Sequence, residues 1–225
     1  MVGALGMIAG TMVRRALAAL AFALAFGGVA QAACEGSETP LAQLDNPGMR
    51  AYLASTIEEL ETYYQVTFPD VCMSANEYGA YVDLGRDGTL VIGTDFIYGV
   101  AEHSLNHVTA VLAHETAHRF QSVHDLLDRL TMADKNRVKC IELHADFMAG
   151  GFMRRRAEYM KVKPDDLAAI FFDLGDEGVH DYDHHGLGPE RYVAFAAGFG
   201  RLFADVYENA TTGMFYVSRA KCDPT

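Results

Sequence analysis

Residues 111–148 read VLAHETAHRFQSVHDLLDRLTMADKNRVKCIELHADFM and predict two helices that pack against each other. The first helix carries His114 and His118, which are four positions apart and therefore share one helix face. Imidazoles on adjacent turns can bind one metal ion, and zinc suits such donors. We expect Glu142 of the second helix to be the third ligand, since two His and one Glu form a known zinc set with one open position.

Two further acidic residues have predicted roles around this metal. Glu115 follows the first ligand but lies outside the set of three, which is where a general base is needed. Asp146 comes one turn after Glu142 and can accept a hydrogen bond from the outer nitrogen of a ligating histidine. The alternative is an amphipathic helix with two surface histidines. Apolar neighbours such as Val108 and Phe120 favour a buried site, and hence a zinc metallopeptidase.

The motif pair HExxH followed by ExxxD resembles that of the gluzincin metallopeptidases. The version in this chain is similar to the HtpX-type membrane peptidases and the bacterial neutral zinc metallopeptidase family. Three other stretches agree with that resemblance: residues 76–96 before the motif helix, HRFQ at 118–121 and HGLGPER at 185–191. The chain departs from these families at Ala117, where they usually have Gly, and in having no additional apolar spans.

The resemblance implies a zincin-like single domain of the α+β class, mainly helical, with a small hairpin or sheet before the motif helix. Residues 80–84 and 89–92 are rich in β-forming residues and flank GRDG, which predicts that hairpin. An extended peptide substrate could pair with the exposed edge of such a hairpin beside the zinc.

The loop at residues 180–191 contains a candidate for stabilising the oxyanion of the transition state. His185 is preferred for this role because it lies in the family-like HGLGPER segment, and Arg191 could orient the loop or donate directly. Two alternatives stay open: a second metal site built from Asp181, Asp183 and His184, and a loop that is only solvated.

The first 32 residues have the pattern of a bacterial signal peptide: Arg14 and Arg15, an apolar run, and Ala30-Gln31-Ala32 as a cleavage site. Cleavage leaves residues 33–225 as the metallopeptidase domain, which predicts a periplasmic or secreted protein without stable membrane insertion. The formal charge of −12 becomes −14, because the removed segment carries two Arg and no acid. This acidity argues against nucleic acid as a partner. We expect a protein or peptide substrate, and the sequence does not indicate an oligomeric state.

Four cysteines lie after the predicted cleavage site, and an even number in an exported protein predicts disulfides. Three connectivities are possible. We favour Cys34 with Cys72 and Cys140 with Cys222, which would tie each terminal segment to the core.

The remaining elements follow from caps and apolar periodicity. Asn46-Pro47 predicts a helix start, and residues 68–77 read as a loop. A turn or short helix is expected at 95–102, with Ser104 or Asn106 capping a motif helix that ends near Val123. Later helices are predicted at 135–160 and 166–174. A last long helix is predicted from Pro189 through Tyr207, and its inward face is formed by Phe195, Phe199, Leu202 and Phe203.

Two other functions fit the same motifs. One is an exported zinc-binding or interaction protein without turnover, although a protein that only holds metal has no need of Glu115. The other is a membrane-tethered quality-control protease whose leader stays uncut.

Overall fold

The computed structural model describes residues 34–132, 138–161, 163–175 and 185–220. The predicted signal peptide, residues 1–32, therefore lies outside the described residues, and so do Cys222 and the alternative metal site at Asp181, Asp183 and His184.

Eight α-helices and a four-stranded sheet, with short 3₁₀ helices at Leu41–Gln43 and Leu84–Arg86, form the described part of the chain, which confirms the predicted α+β, mainly helical class. The helices are α1 Pro47–Tyr64, α2 Thr94–His103, α3 Leu105–Val123, α4 Leu126–Met132, α5 Lys139–Arg156, α6 Pro164–Asp173, α7 Gly188–Phe199 and α8 Val206–Ala220. The strands are β1 Thr39–Pro40, β2 Val71–Ser74, β3 Ala80–Asp83 and β4 Thr89–Gly93. Within these residues, none of the helices has both the length and the hydropathy that a membrane crossing requires.

The predicted hairpin is confirmed, because β3 and β4 pair antiparallel with Tyr81 opposite Val91. The sheet order is β1-β2-β4-β3, so β3 is an edge strand. The loop predicted at residues 68–77 is wrong in part, since Val71–Ser74 forms β2 and pairs parallel with β4. Parallel strands are not joined by a tight turn, so no turn signal in the sequence marks β2. Its four residues are also too few to show strand periodicity.

The predicted disulfide between Cys34 and Cys72 is confirmed, and it ties the start of the described chain to β2. Cys140 is also disulfide-bonded. Its predicted partner, Cys222, lies outside the described residues, so this second pairing stays a prediction.

Asn46 caps α1 as predicted: its Oδ1 accepts a hydrogen bond from the backbone N–H of Met49 at 3.0 Å. The apolar stripe of α1 is buried, with Leu53 and Leu60 fully inaccessible to solvent. Of the two residues considered as caps for the motif helix, Ser104 is the one that caps α3, through the N–H of His107.

Helix α5 lies at the centre of the helical layer and packs closely on its neighbours at glycines. A Cβ added at Gly150 would lie 2.1 Å from the carbonyl oxygen of Phe195, and one at Gly198 would lie 1.9 Å from that of Phe147. Helix α5 runs unbroken from Lys139 to Arg156, so Gly150 does not produce a kink. It allows the two helices to pack closely.

Three helix predictions need correction. Helix α4 occupies residues 126–132, between the predicted end of the motif helix near Val123 and the predicted start of the next helix at 135, where no helix was predicted. Helix α5 ends at Arg156 rather than near 160. The predicted last long helix is two helices, because α7 ends at Phe199 and α8 begins at Val206. Phe203 in the connection is buried as predicted, whereas Leu202 is 58% exposed.

Candidate metal centre

Three side chains from α3 and α5 converge on one point. His114 and His118, one turn apart on α3, direct their Nε2 atoms toward each other at a separation of 2.9 Å. Glu142, in the first turn of α5, faces both: its Oε2 lies 3.2 Å from Nε2 of His114, and its Oε1 lies 3.3 Å from Nε2 of His118. All three predicted ligands are therefore brought together, as a group that could hold a metal ion.

The spacing of these atoms fits a four-coordinate ion. Ligand bonds of 2.0–2.1 Å in a tetrahedron place neighbouring donor atoms about 3.3 Å apart. The three separations, 2.9, 3.2 and 3.3 Å, lie close to this value. Two imidazoles and a carboxylate contain no sulfur, and this donor set suits zinc and other divalent ions of similar hardness. Three protein donors also leave one of four positions open.

Asp146 lies behind His114, beside the outer ring nitrogen as predicted, but the predicted hydrogen bond to that nitrogen is not formed. Its Oδ1 is 2.8 Å from Nδ1 of His114, and its side chain has no solvent exposure. The carboxylate lies off the line of the ring N–H, so the contact is primarily electrostatic. A negative charge at this position favours a proton on Nδ1, which leaves Nε2 free for a metal ion.

Arg191 holds Asp146 in place. Its Nε and Nη2 donate to the two oxygens of Asp146, each at 2.9 Å, and its Nη1 donates to the carbonyl oxygen of Leu174 at 3.0 Å. Nη2 also lies 3.3 Å from Oε2 of Glu142 and 3.4 Å from Nε2 of His114. The guanidinium is 4% exposed, so it is a buried positive charge directly beside the ligand atoms.

Gln121 holds the other histidine ligand, and sequence reasoning gave it no role. Its Oε1 lies 2.9 Å from Nδ1 of His118, and its Nε2 donates to the carbonyl oxygen of Ile141 at 2.9 Å. Gln121 comes three residues after His118 and therefore on the same helix face, which is the signal that could have identified it. Its amide also contacts His144, whose imidazole is fully buried and turned away from the ligand set.

Burial and charge shift the pKa values of the acidic groups in opposite directions. Burial alone would raise the pKa of Glu142, but His118 and His114 outweigh it and hold that pKa well below its usual range. Glu115 is 7% exposed, and burial raises its pKa although His114 and His118 oppose the shift. Glu142 is therefore a carboxylate suited to ligation, whereas Glu115 binds a proton more readily.

Burial and neighbouring charges also shift the pKa values of two imidazoles. Burial lowers the pKa of His114, but the charges of Asp146 and Glu142 raise it to about 10, so a metal ion would compete with a proton for this ring. Burial lowers the pKa of His144 to about 4, so this ring is neutral near pH 7.

A pocket of about 420 Å³ opens onto the ligands from one side of the sheet. Glu115 and the three ligands line its inner end, and the edge strand β3, with Tyr81, lines its wall. His185 and Arg191 both line this pocket, but His185 is exposed whereas Arg191 is buried. The guanidinium of Arg191 already donates to both oxygens of Asp146.

No protein-family model, no curated protein and no solved structure matches this chain.

Proposed function

We propose that this protein is an exported zinc-dependent metallopeptidase. The observation that carries the proposal is the convergence of His114, His118 and Glu142 at the inner end of an open pocket that also contains Glu115. Metal ligands alone would fit a storage or structural site. A buried acid outside the ligand set, in a pocket with a free coordination position, is what hydrolysis requires.

His114, His118 and Glu142 would hold the ion. A zinc ion bound there supplies a Lewis acid that acidifies water and polarises the scissile carbonyl. Glu115 takes the proton of the attacking water and delivers it to the nitrogen of the leaving amine. Its raised pKa favours this exchange, because a base whose pKa is closer to the working pH both accepts and releases a proton efficiently.

The second donor that this reaction needs is assigned to His185. Both candidates line the pocket, and His185 is the exposed one, whereas Arg191 is buried with its donors directed at Asp146, Glu142 and a backbone carbonyl. An N–H of His185 would stabilise the developing oxyanion, and Arg191 would keep the carboxylate of Asp146 behind the first ligand.

The edge strand β3 supports a peptide as the substrate. Residues 80–83 form the outer strand of the sheet, and 80–82 line the pocket. An outer strand has unpaired backbone groups. An extended peptide that pairs with this strand would pass in front of Glu115. A substrate bound by its backbone makes the enzyme tolerant of side-chain sequence, apart from the residues that contact aromatic groups such as Tyr81.

Export rests on the signal-peptide pattern, and the disulfide between Cys34 and Cys72 is compatible with an oxidising compartment. The competing function is an exported zinc-binding protein without turnover. The burial of Glu115 in the pocket favours the enzyme, because holding a metal does not require a base.

Glu115→Gln tests the proposal, with Glu102→Gln on α2 as a matched control that changes an exposed glutamate. Purified protein is loaded with zinc, and hydrolysis of an unfolded protein is followed by peptide mass spectrometry. Glu115→Gln should retain one zinc and lose at least about 10²-fold in kcat, because the amide cannot accept a proton. Wild-type protein that carries zinc and cleaves no peptide, or full activity in Glu115→Gln, would contradict the proposal.

A further inference from the structure

Behind His118 lies a pair of buried polar side chains that the proposed reaction does not use. Gln121 on α3 and His144 on α5 both have no solvent exposure. Their contacts form a continuous chain from His118 to Ala210 on α8. A buried amide and a buried imidazole are costly unless each donor faces an acceptor, so the directions of these hydrogen bonds are constrained.

Two backbone carbonyls determine those directions, because a carbonyl oxygen can only accept. Nε2 of Gln121 is 2.9 Å from the oxygen of Ile141, so the NH₂ group of the amide must point there. Nε2 of His144 is 3.0 Å from the oxygen of Ala210, so the proton of that ring lies on Nε2. Nδ1 of His144 is then an acceptor, and it receives the second N–H of Gln121 at 3.0 Å.

The amide of Gln121 therefore turns its oxygen toward His118. Oε1 lies 2.9 Å from Nδ1 of His118 and can only accept, so Nδ1 must carry the proton. Nε2 of His118 then has a free lone pair, and this lone pair faces Nε2 of His114 and the carboxylate of Glu142. The opposite amide orientation would place two acceptors 2.9 Å apart at Ile141.

We propose that Gln121 and His144 are positioning residues that form a hydrogen-bond relay, anchored on Ile141 and Ala210, which selects the metal-binding tautomer of His118. Ile141 directly precedes Glu142, so the same amide orients one ligand ring and holds the backbone beside another ligand. His144 extends the relay to α8, so docking of the C-terminal helix contributes to the order of the metal site. The inference rests on the proposed metal centre.

The first test is made on the folded, metal-free protein, and it is independent of zinc and of turnover. Long-range ¹H–¹⁵N spectra of the imidazoles report which ring nitrogen carries a proton. His144 should be a single tautomer with its proton on Nε2 at neutral pH. A proton on Nδ1 of His144 would overturn the relay, because Nδ1 could not then accept from Gln121.

The second test compares zinc affinity and thermal stability in three variants. Gln121→Met removes the acceptor of His118 and should weaken zinc binding about 10- to 100-fold. Gln121→Glu keeps an acceptor for His118 but places a carboxylate oxygen against Ile141 and His144. It should therefore keep zinc affinity within about threefold of wild type while lowering Tm. Thr116→Val is the control, since it removes a different buried hydrogen bond of α3, to the carbonyl of Leu112, and should lower Tm without changing zinc affinity.

The pattern of results separates this inference from the proposed function. Loss of affinity in Gln121→Met with retention in Gln121→Glu supports a positioning role, because a purely structural residue would lose both together. Equal losses in both variants, or no loss in Gln121→Met, would overturn it. If the protein binds zinc but cleaves no peptide, the proposed function fails and both tests of the relay still apply. If the protein binds no zinc, the tautomer of His144 still shows whether the hydrogen-bond relay exists.

Discussion

Arg191→Met should destabilise the metal-free protein strongly, because it leaves the carboxylate of Asp146 buried without its partner. Asp146 has no solvent exposure and receives two charged hydrogen bonds of 2.9 Å from Arg191. Removing one member of a buried ion pair costs about 3–5 kcal/mol. For a domain of this size, such a loss in the free energy of unfolding corresponds to a fall in Tm of roughly 6–20 °C.

The double variant Arg191→Met/Asp146→Leu removes the whole ion pair and therefore tests whether the unpaired carboxylate causes the loss of stability. Replacing a whole buried ion pair by apolar residues of similar volume is often neutral, so most of the lost stability should return. Zinc affinity of the double variant should nevertheless be lower than that of wild type, because His114 no longer has a charged partner at Nδ1. Urea unfolding of the metal-free proteins and zinc competition titrations provide the two measurements. A single variant within about 0.5 kcal/mol of wild type, or a double variant as unstable as the single one, would refute the argument.

Three other predictions follow from the packing, the pocket and the ion pairs. Gly150→Ala should lower stability by about 1–3 kcal/mol in urea unfolding, because its Cβ would lie 2.1 Å from the carbonyl oxygen of Phe195, whereas Gly99→Ala, in open space on α2, should be neutral or stabilising. His185→Ala should reduce kcat by about 10²-fold with one zinc still bound, and an unchanged kcat would leave the loop as solvated only. Glu38→Gln should lower Tm at pH 7, and the difference in Tm from wild type should shrink as the pH falls below the ordinary pKa of a glutamate. The reason is that the hydrogen bond from Arg86 lowers the pKa of Glu38, so this carboxylate stabilises the fold above its unfolded pKa and loses that contribution as the pH falls.

The convergence of the three candidate metal ligands was predictable because the chemistry and the spacing of these residues both indicate a shared site. His114 and His118 are four residues apart and share a helix face whatever the tertiary structure. Glu142 and Asp146 have the same spacing on a second helix. Arg191 is different, since it reaches Asp146 across 45 positions of sequence, and no local pattern gives that contact. Its place in the site is suggested by the family resemblance alone. The same resemblance includes Gln121 in the HRFQ stretch but indicates no role for it.

The fold was less predictable where local signals conflict with tertiary packing. Phe195, Phe199 and Phe203 continue a helical period through residues 200–205, yet α7 ends at Phe199. An N-terminal signal for α8 is present, because Oδ1 of Asp205 accepts from the N–H of Glu208 at 2.9 Å. The strand β2 has no equivalent signal, since its pairing with β4 is parallel and is set by the sheet rather than by a turn.

The assignment of the metal centre is tested most directly by zinc K-edge X-ray absorption on protein loaded with one equivalent of zinc. We expect the spectrum to show only nitrogen and oxygen ligands at about 2.0–2.1 Å from the zinc, including two imidazoles. We also expect that His118→Ala and Glu142→Ala each lose the bound ion. Sulfur scattering at about 2.3 Å, or full zinc retention in both variants, would show that His114, His118 and Glu142 do not hold the metal.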